Sequence, residues 1–166
     1  MKEIVVKSAI LSVITLFSVV AVSAADLRVF GPAGMRAIEK EHAGDRFIVA
    51  VWSTDCPPCR RELSLLGEFQ AEHPGVPVVL IATDPPENAE LVERVLESFD
   101  LPGADSWLFG DAGAERLRYS IDPGWRGEMP RSYLYDCDGS RVGLSGPISE
   151  NLLRGWLEDA SSEKER

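Results

Sequence analysis

The sequence is poor in cysteine and histidine, the residues that bind structural zinc. Its 166 residues include three cysteines and two histidines. One C-x-x-C pair occurs, at Cys56 and Cys59, and no second C-x-x-C or H-x-x-H follows it. A structural zinc site usually takes four such ligands, so the pair alone does not make one. A glycine-rich phosphate loop is also missing, and no organic cofactor is therefore implied.

Positive charge is scarce as well. Lysine and arginine total 17 against 27 aspartates and glutamates, which gives a formal net charge of −10. This balance argues against nucleic acid or an anionic membrane as the main partner, and we interpret the acidic surface as an aid to solubility. No repeat, low-complexity run or internal linker is visible. We therefore predict one domain over residues 26–160, followed by a charged tail at 161–166.

The N-terminus has the composition of an export signal. Lys2 and Lys7 precede residues 8–25, which contain no charged residue. The small residues before Asp26 form a plausible cleavage site, so we predict a signal peptide over residues 1–25. An uncleaved anchor is the alternative, because the uncharged run is near the lower length limit for a membrane span. Both interpretations predict an exported protein, which we place in the periplasm.

Residues 47–60 carry the strongest local pattern. The apolar, β-branched run Phe47–Trp52 predicts a buried strand. Serine, threonine and aspartate follow at 53–55, and such residues cap helices by accepting hydrogen bonds from free N–H groups. The two prolines after Cys56 are tolerated only in the first turn of a helix. We therefore expect Cys56 at the N-terminus of a helix, with Cys59 one turn behind it.

That position suits a redox-active thiol. The partial positive charge of a helix N-terminus favours a thiolate, and the pKa of cysteines in such places falls from about 8.5 to roughly 3.5–7.5. Arg60 adds positive charge on the same helix face as Cys56. Asp55 opposes it, at a cost to the thiolate on the order of 0.7 to 3 kcal/mol. A Cys56 thiolate can attack a disulfide, and Cys59 can then resolve the mixed disulfide.

A purely structural disulfide is the simplest alternative for this cysteine pair. Closing so short a loop restricts the unfolded chain little, by about 2 kcal/mol. Two prolines between the cysteines also favour a helix start over a staple. The pattern of strand, turn and helix around the C-x-x-C therefore points to redox chemistry.

Two stretches resemble motifs of a known family. Residues 51–63, VWSTDCPPCRREL, resemble the active site of the TlpA/ResA-like thiol-disulfide oxidoreductases of the thioredoxin superfamily. Residues 129–140, MPRSYLYDCDGS, resemble that family's cis-proline loop, strand and hairpin turn. The resemblance implies an α/β fold, a thioredoxin-like three-layer α/β/α sandwich with a mixed central sheet. It also implies an enzyme that reduces protein disulfides through Cys56 and Cys59, with no cofactor beyond this redox-active pair.

The remaining sequence alternates helical and strand patterns. Helices are predicted at residues 33–42, from 57 to a break at 73–75, and at 88–99, 112–119 and 148–159. Strands are predicted at residues 47–52, 76–83, 132–135 and 141–144, with a short apolar segment at 107–109. This alternation, closed by a hairpin turn at Asp138 and Gly139, is typical of a three-layer α/β domain.

The family resemblance also assigns roles around the cysteine pair. In the family, the cis-proline lies beside the cysteines and the residue before it offers its backbone to an extended peptide. This assigns substrate binding to Pro130 and Met129. Thioredoxins have a buried aspartate where this sequence has Ala50, so Asp84 and Glu87 are the candidates to replace it in proton transfer.

Three charged side chains are expected to tune the cysteine pKa: Asp55, Arg60 and Glu87. Asp55 stands where the family usually has tryptophan, which leaves the redox potential open. Since about 30 mV corresponds to 1.4 kcal/mol for a two-electron couple, small electrostatic changes can alter the direction of electron flow.

Two tryptophans are assigned to the region of substrate binding. Trp52 ends the predicted strand before the cysteine pair and is expected to pack beside the active site. Trp125 lies in a loop, residues 120–129, that is longer than the corresponding link in the family and ends at Pro130. We expect Trp125 to line the substrate groove, with simple burial as the alternative. Cys137, at the predicted hairpin, is expected to stay unpaired.

We predict an exported, monomeric thiol-disulfide oxidoreductase that reduces protein disulfides and is recharged by a membrane electron donor. The resembled family includes members that serve cytochrome c maturation. One alternative is a thioredoxin-fold copper-binding chaperone, which would need His42, His73 or Cys137 beside Cys56. Another is a thiol peroxidase, which is disfavoured because Thr54 lies only two residues before Cys56.

Overall fold

The computed structural model describes residues 27–99, 101 and 104–164, and the signal peptide predicted at 1–25 lies outside them. The described chain forms a six-stranded sheet in the order β1-β4-β3-β2-β5-β6. The strands are β1 (Arg28–Phe30), β2 (Phe47–Trp52), β3 (Val78–Ala82), β4 (Asp105–Phe109), β5 (Arg131–Tyr135) and β6 (Arg141–Ser145). The α-helices are α1 (Gly34–Glu41), α2 (Pro57–Glu72), α3 (Ala89–Glu97), α4 (Ala114–Ile121) and α5 (Glu150–Lys164), and a short 3₁₀-helix spans Pro86–Asn88.

The central strand β2 sets the geometry of the sheet. It pairs in parallel with β3 and antiparallel with β5. β4 and β1 continue the parallel side, and β6 pairs antiparallel with β5. In the register of β2 and β5, Val51 lies opposite Arg131. The C-terminal end of β2 and the N-terminal end of β5 therefore meet at one edge of the sheet.

Helices cover both faces of the sheet, because successive side chains of a strand point to opposite sides. On one face, Ile48, Ala50 and Trp52 pack with buried residues of α2, α3 and α5. On the other, Val49 and Val51 pack with buried residues of α1 and α4. This arrangement confirms the predicted three-layer sandwich with a mixed sheet.

One strand was missed, and the ends of several elements differ from the sequence-based prediction. Strand β1 has only three residues, too few for a periodic signal, and was not predicted. Helix α5 continues to Lys164, so most of the tail predicted at 161–166 extends this helix. Within the described ranges, no helix is both long and apolar enough to cross a membrane.

Candidate active site

Cys56 occupies the N-cap of α2. Its backbone is extended, and its Sγ accepts a hydrogen bond from the Cys59 N–H at 3.2 Å. Pro57 and Pro58 form the first turn, where their missing N–H groups cost nothing. These contacts confirm the prediction that Cys56 lies at a helix N-terminus fed by a buried strand.

The two cysteines form a disulfide, and their exposure differs. Cys56 is half-buried, whereas Cys59 is 1% exposed and packs in the core under α2. Cys56 is therefore the more accessible of the two cysteines. This asymmetry is the one that a nucleophilic cysteine and a resolving cysteine require.

Met129 and Pro130 lie at the same edge of the sheet. Their peptide bond is cis, as the family resemblance implies. Pro130 is buried, and its carbonyl accepts a hydrogen bond from the Gly146 N–H at 2.9 Å. Met129 is half-buried and packs on the cluster that Cys56 also contacts. The long-range pairing of β2 with β5 thus brings the two predicted halves of the site together.

No family model matches the chain. Sporulation thiol-disulfide oxidoreductase A of Bacillus subtilis is 26% identical to it over 140 residues, which are 75% of this chain and 77% of that protein. The chain is therefore similar in sequence to a thiol-disulfide oxidoreductase over 75% of its length.

Solved structures share the fold of this chain. A secreted Mycobacterium tuberculosis disulfide oxidoreductase homologous to Escherichia coli DsbE aligns with a TM-score of 0.56 at 21% identity, covering 72% of this chain and 85% of that one. StoA from Bacillus subtilis aligns with a TM-score of 0.51 at 24% identity, covering 69% of this chain and 84% of that one. At these identities the likeness shows the thioredoxin fold, which confirms the predicted fold class.

The charged residues predicted to tune the pKa of the cysteines lie in different surroundings. Asp55 is exposed in the turn before Cys56, and its N–H bonds to the Ser53 Oγ at 3.3 Å. The guanidinium of Arg60 donates from Nη2 to the Thr54 carbonyl at 3.2 Å, so its charge lies beside the same turn. Glu87 is exposed in the 3₁₀-helix Pro86–Asn88. Tuning of the cysteine pKa by these residues stays a prediction.

Asp84, the other carboxylate candidate, is buried rather than solvated. It is 6% exposed and accepts hydrogen bonds from the backbone and side chain of Thr54. It therefore contacts the turn that leads into Cys56.

A further buried carboxylate, Glu62, was not predicted from the sequence. Glu62 is 3% exposed and accepts hydrogen bonds from the Ser132 hydroxyl and, at 3.0 Å, from the Ile148 N–H. Burial raises the pKa of Glu62, and the two hydrogen bonds oppose that rise only in part. Its helical spacing could have indicated this burial, since Glu62 shares a face of α2 with Cys59 and the apolar Leu66.

The two tryptophans of the predicted substrate region are both buried. Trp52 is 1% exposed and packs in the cluster that contains Cys59. Trp125 is 6% exposed in the cluster on the opposite face of the sheet, and its indole N–H donates to the Glu128 carbonyl at 2.9 Å. This is the packing that the alternative interpretation describes, and the ring of Trp125 has little surface left for a substrate.

An ion-pair network fixes the long loop that carries Trp125. Arg131, next to Pro130, donates to Asp122 Oδ2 at 2.9 Å and to the Ser145 Oγ at 2.8 Å. Burial alone would raise the pKa of Asp122, but hydrogen bonds from Gly124 N–H and Arg131 are among those that lower it. Arg131 therefore links the loop to β5 and β6 next to Pro130.

Trp125→Phe tests the packing role. Phenylalanine keeps an apolar ring but loses the N–H, so we expect the free energy of unfolding to fall by about 1 kcal/mol. Urea denaturation measures this loss, with Tyr119→Phe, at an exposed position, as the matched control. A loss of activity towards protein disulfides with no loss of stability would instead assign Trp125 to the substrate groove.

The copper-chaperone alternative required a further ligand beside Cys56. His42 stacks on Phe47 at the start of β2, and His73 follows the C-terminal end of α2. Cys137 is exposed and unpaired beyond the end of β5. All three lie at the end of the sheet opposite Cys56. In the part of the chain that the structure describes, no group of three or more histidine, cysteine, aspartate or glutamate residues could hold a metal ion.

Proposed function

We propose that this protein is a thiol-disulfide oxidoreductase that reduces protein disulfides outside the cytoplasm. The observation that carries the proposal is the contrast between a half-buried Cys56, which accepts an N–H bond at the start of α2, and a fully buried Cys59 beside it. The helix N-terminus stabilises a thiolate at the position that a substrate can reach.

The reaction takes place in two exchange steps. In the reduced protein, the Cys56 thiolate attacks one sulfur of the substrate disulfide, and the other substrate sulfur leaves as a thiolate. Cys59 then loses its proton and attacks the Cys56 sulfur, which forms the intramolecular disulfide and releases the second substrate thiol. Two electrons pass from the cysteine pair to the substrate, so a dithiol donor, which we place in the membrane, must reduce the pair again.

Glu62 supplies the proton acceptor for the second step. Cys59 is shielded from water, so its proton needs an acceptor inside the protein. Glu62 lies three residues further along α2 on the same face, and its raised pKa makes it a stronger base than an exposed glutamate. It replaces the buried aspartate that thioredoxins have at the position of Ala50.

Met129 and Pro130 form the substrate-binding edge. An extended peptide can pair with the free backbone groups of Met129, which adds a short strand to the site. Export is supported by the predicted signal peptide and by the similarity to a protein described as secreted. Apocytochrome c is one client that the family resemblance suggests, and we expect the protein to act as a monomer.

The redox equilibrium with glutathione and the turnover of a protein disulfide test this function. We expect the reduced protein to cleave the interchain disulfides of insulin, with a Cys56–Cys59 potential more reducing than the glutathione couple. A potential near about −120 mV would contradict the reductase direction. Rapid turnover of hydrogen peroxide without disulfide exchange would favour a peroxidase, and stoichiometric Cu(I) binding by the reduced pair would favour a copper chaperone.

A further inference from the structure

The turn before Cys56 is held by one buried carboxylate. Thr54 and Asp84 are each 6% exposed. The Thr54 N–H lies 3.1 Å from Asp84 Oδ2 and 3.3 Å from Oδ1, and the Thr54 hydroxyl donates to Oδ1. Both hydrogen-bond donors of Thr54 are thus directed to Asp84, which lies in the loop after β3.

The other polar groups of this turn are also engaged. The Asp55 N–H bonds to the Ser53 Oγ, and the Cys56 N–H donates to the Ser53 carbonyl at 3.2 Å. On the helix side, Arg60 donates to the Thr54 carbonyl. The Asp84 carboxylate therefore holds the turn from the β3 side, and the Arg60 guanidinium holds it from the α2 side. Cys56 follows directly after this turn.

We propose that Asp84 is a positioning residue for the redox reaction, which holds the Thr54 turn and with it the Cys56 sulfur at the start of α2. The inference deepens the proposed function and rests on it. Asp84 acts through Thr54, which precedes Cys56 by two residues, and by the charge that it places beside this turn. This differs from the proton-transfer role considered above, because the carboxylate bonds to Thr54 and not to a cysteine.

The charge of Asp84 sets the direction of the expected effect. A nearby negative charge disfavours a thiolate and so raises the pKa of a thiol. The other charged groups near the turn are Asp55 in the turn itself, Arg60 and Glu62 on α2, and Glu87 beyond Asp84. Replacing Asp84 by a neutral residue removes a negative charge that counteracts Arg60 and the helix N-terminus. The Cys56 thiolate is then more stable relative to the thiol. A more stable thiolate stabilises the reduced protein and makes the disulfide more oxidising.

Asp84→Asn is the direct test, read by the thiolate absorbance of Cys56 as a function of pH and by the glutathione equilibrium. We expect the Cys56 pKa to fall by about one unit, and the equilibrium constant to shift about tenfold towards the reduced protein. Asp45→Asn is the matched control, because it removes the same charge at an exposed position before the opposite end of β2. It should leave both quantities unchanged.

The variants Thr54→Val and Thr54→Ser distinguish the effect of the Thr54 hydroxyl on the position of Cys56 from the effect of the Asp84 charge on its pKa. Valine keeps the shape of the side chain and the Asp84 charge but removes the hydroxyl donor. We expect it to slow attack on a protein disulfide about tenfold with a smaller change in the Cys56 pKa, and serine should restore the rate. Thr54→Val also tests the proposal if Asp84→Asn does not fold.

Different results would contradict the role of Asp84 and the proposed reduction of protein disulfides. If folded Asp84→Asn matches Asp45→Asn in Cys56 pKa and glutathione equilibrium, or if its Cys56 pKa rises, Asp84 has no such role. Thr54→Val with wild-type kinetics would likewise overturn it. A wild-type protein that reduces no disulfide would refute the proposed function, while the thiol titration of the variants would still be measurable.

Discussion

Cys59→Ser is expected to trap the protein in a mixed disulfide with its substrate. Cys56 can still attack, but no second thiol is within reach to release the product. Catalytic turnover of a protein disulfide should fall by about a thousandfold or more, since the step that regenerates free Cys56 is lost. A covalent adduct that disappears on reduction, detected by intact mass or non-reducing electrophoresis, measures this result.

Two other cysteine variants serve as controls for the trap. Cys56→Ser should form no adduct, because the half-buried nucleophile is gone and Cys59 is buried. Cys137→Ser should behave as the wild type, since Cys137 is exposed beyond β5 and far along the sheet from the site. Adduct formation through Cys59 in the Cys56→Ser variant would reverse the assigned roles.

Glu62→Gln should slow the reaction by about a hundredfold at neutral pH. The amide keeps the size of the side chain and can still bond to Ser132 or Ile148, but it cannot accept the Cys59 proton. Loss of a positioned general base typically costs this much or more. Stopped-flow decay of the mixed disulfide measures the step, and Glu68→Gln, on the exposed face of α2, is the control. An unchanged rate of decay would remove Glu62 from the proton path.

The same variant has an expected effect on stability with a defined sign. The pKa of Glu62 is raised in the folded state, so the folded protein holds this proton more tightly than the unfolded chain. The contribution of Glu62 to stability is therefore complete below the ordinary glutamate pKa and is lost as the pH rises through the raised value. Glu62→Gln should be more stable than the wild type at neutral pH, and the difference should shrink in acid. Urea denaturation across this range measures it.

Local sequence signals were sufficient for the elements that surround the cysteines. The strand Phe47–Trp52 and the N-cap position of Cys56 were predicted, because each depends on residue types within a few positions. The cis bond before Pro130 was implied by the family resemblance. The resemblance to a known family supplied the layer order and the proximity of Pro130 to the cysteine pair.

The features that were missed depend on residues distant in the sequence. Glu62 accepts its hydrogen bonds from Ser132 and Ile148, which lie far from it in the sequence. Asp84 contacts Thr54 because β2 and β3 end at the same edge of the sheet. Strand β1 exists through its parallel pairing with β4, far along the chain. No periodicity within a short window contains this information.

The antiparallel pairing of β5 with β2 also has a consequence for folding. The cysteine pair and the peptide-binding edge come from segments that are widely separated along the chain, and they meet only when β5 docks. Contacts of such long sequence separation form slowly in comparison with local ones. The helix that begins at the cysteine pair can thus form from local contacts, whereas the proposed peptide-binding edge is complete only once β5 has paired with β2.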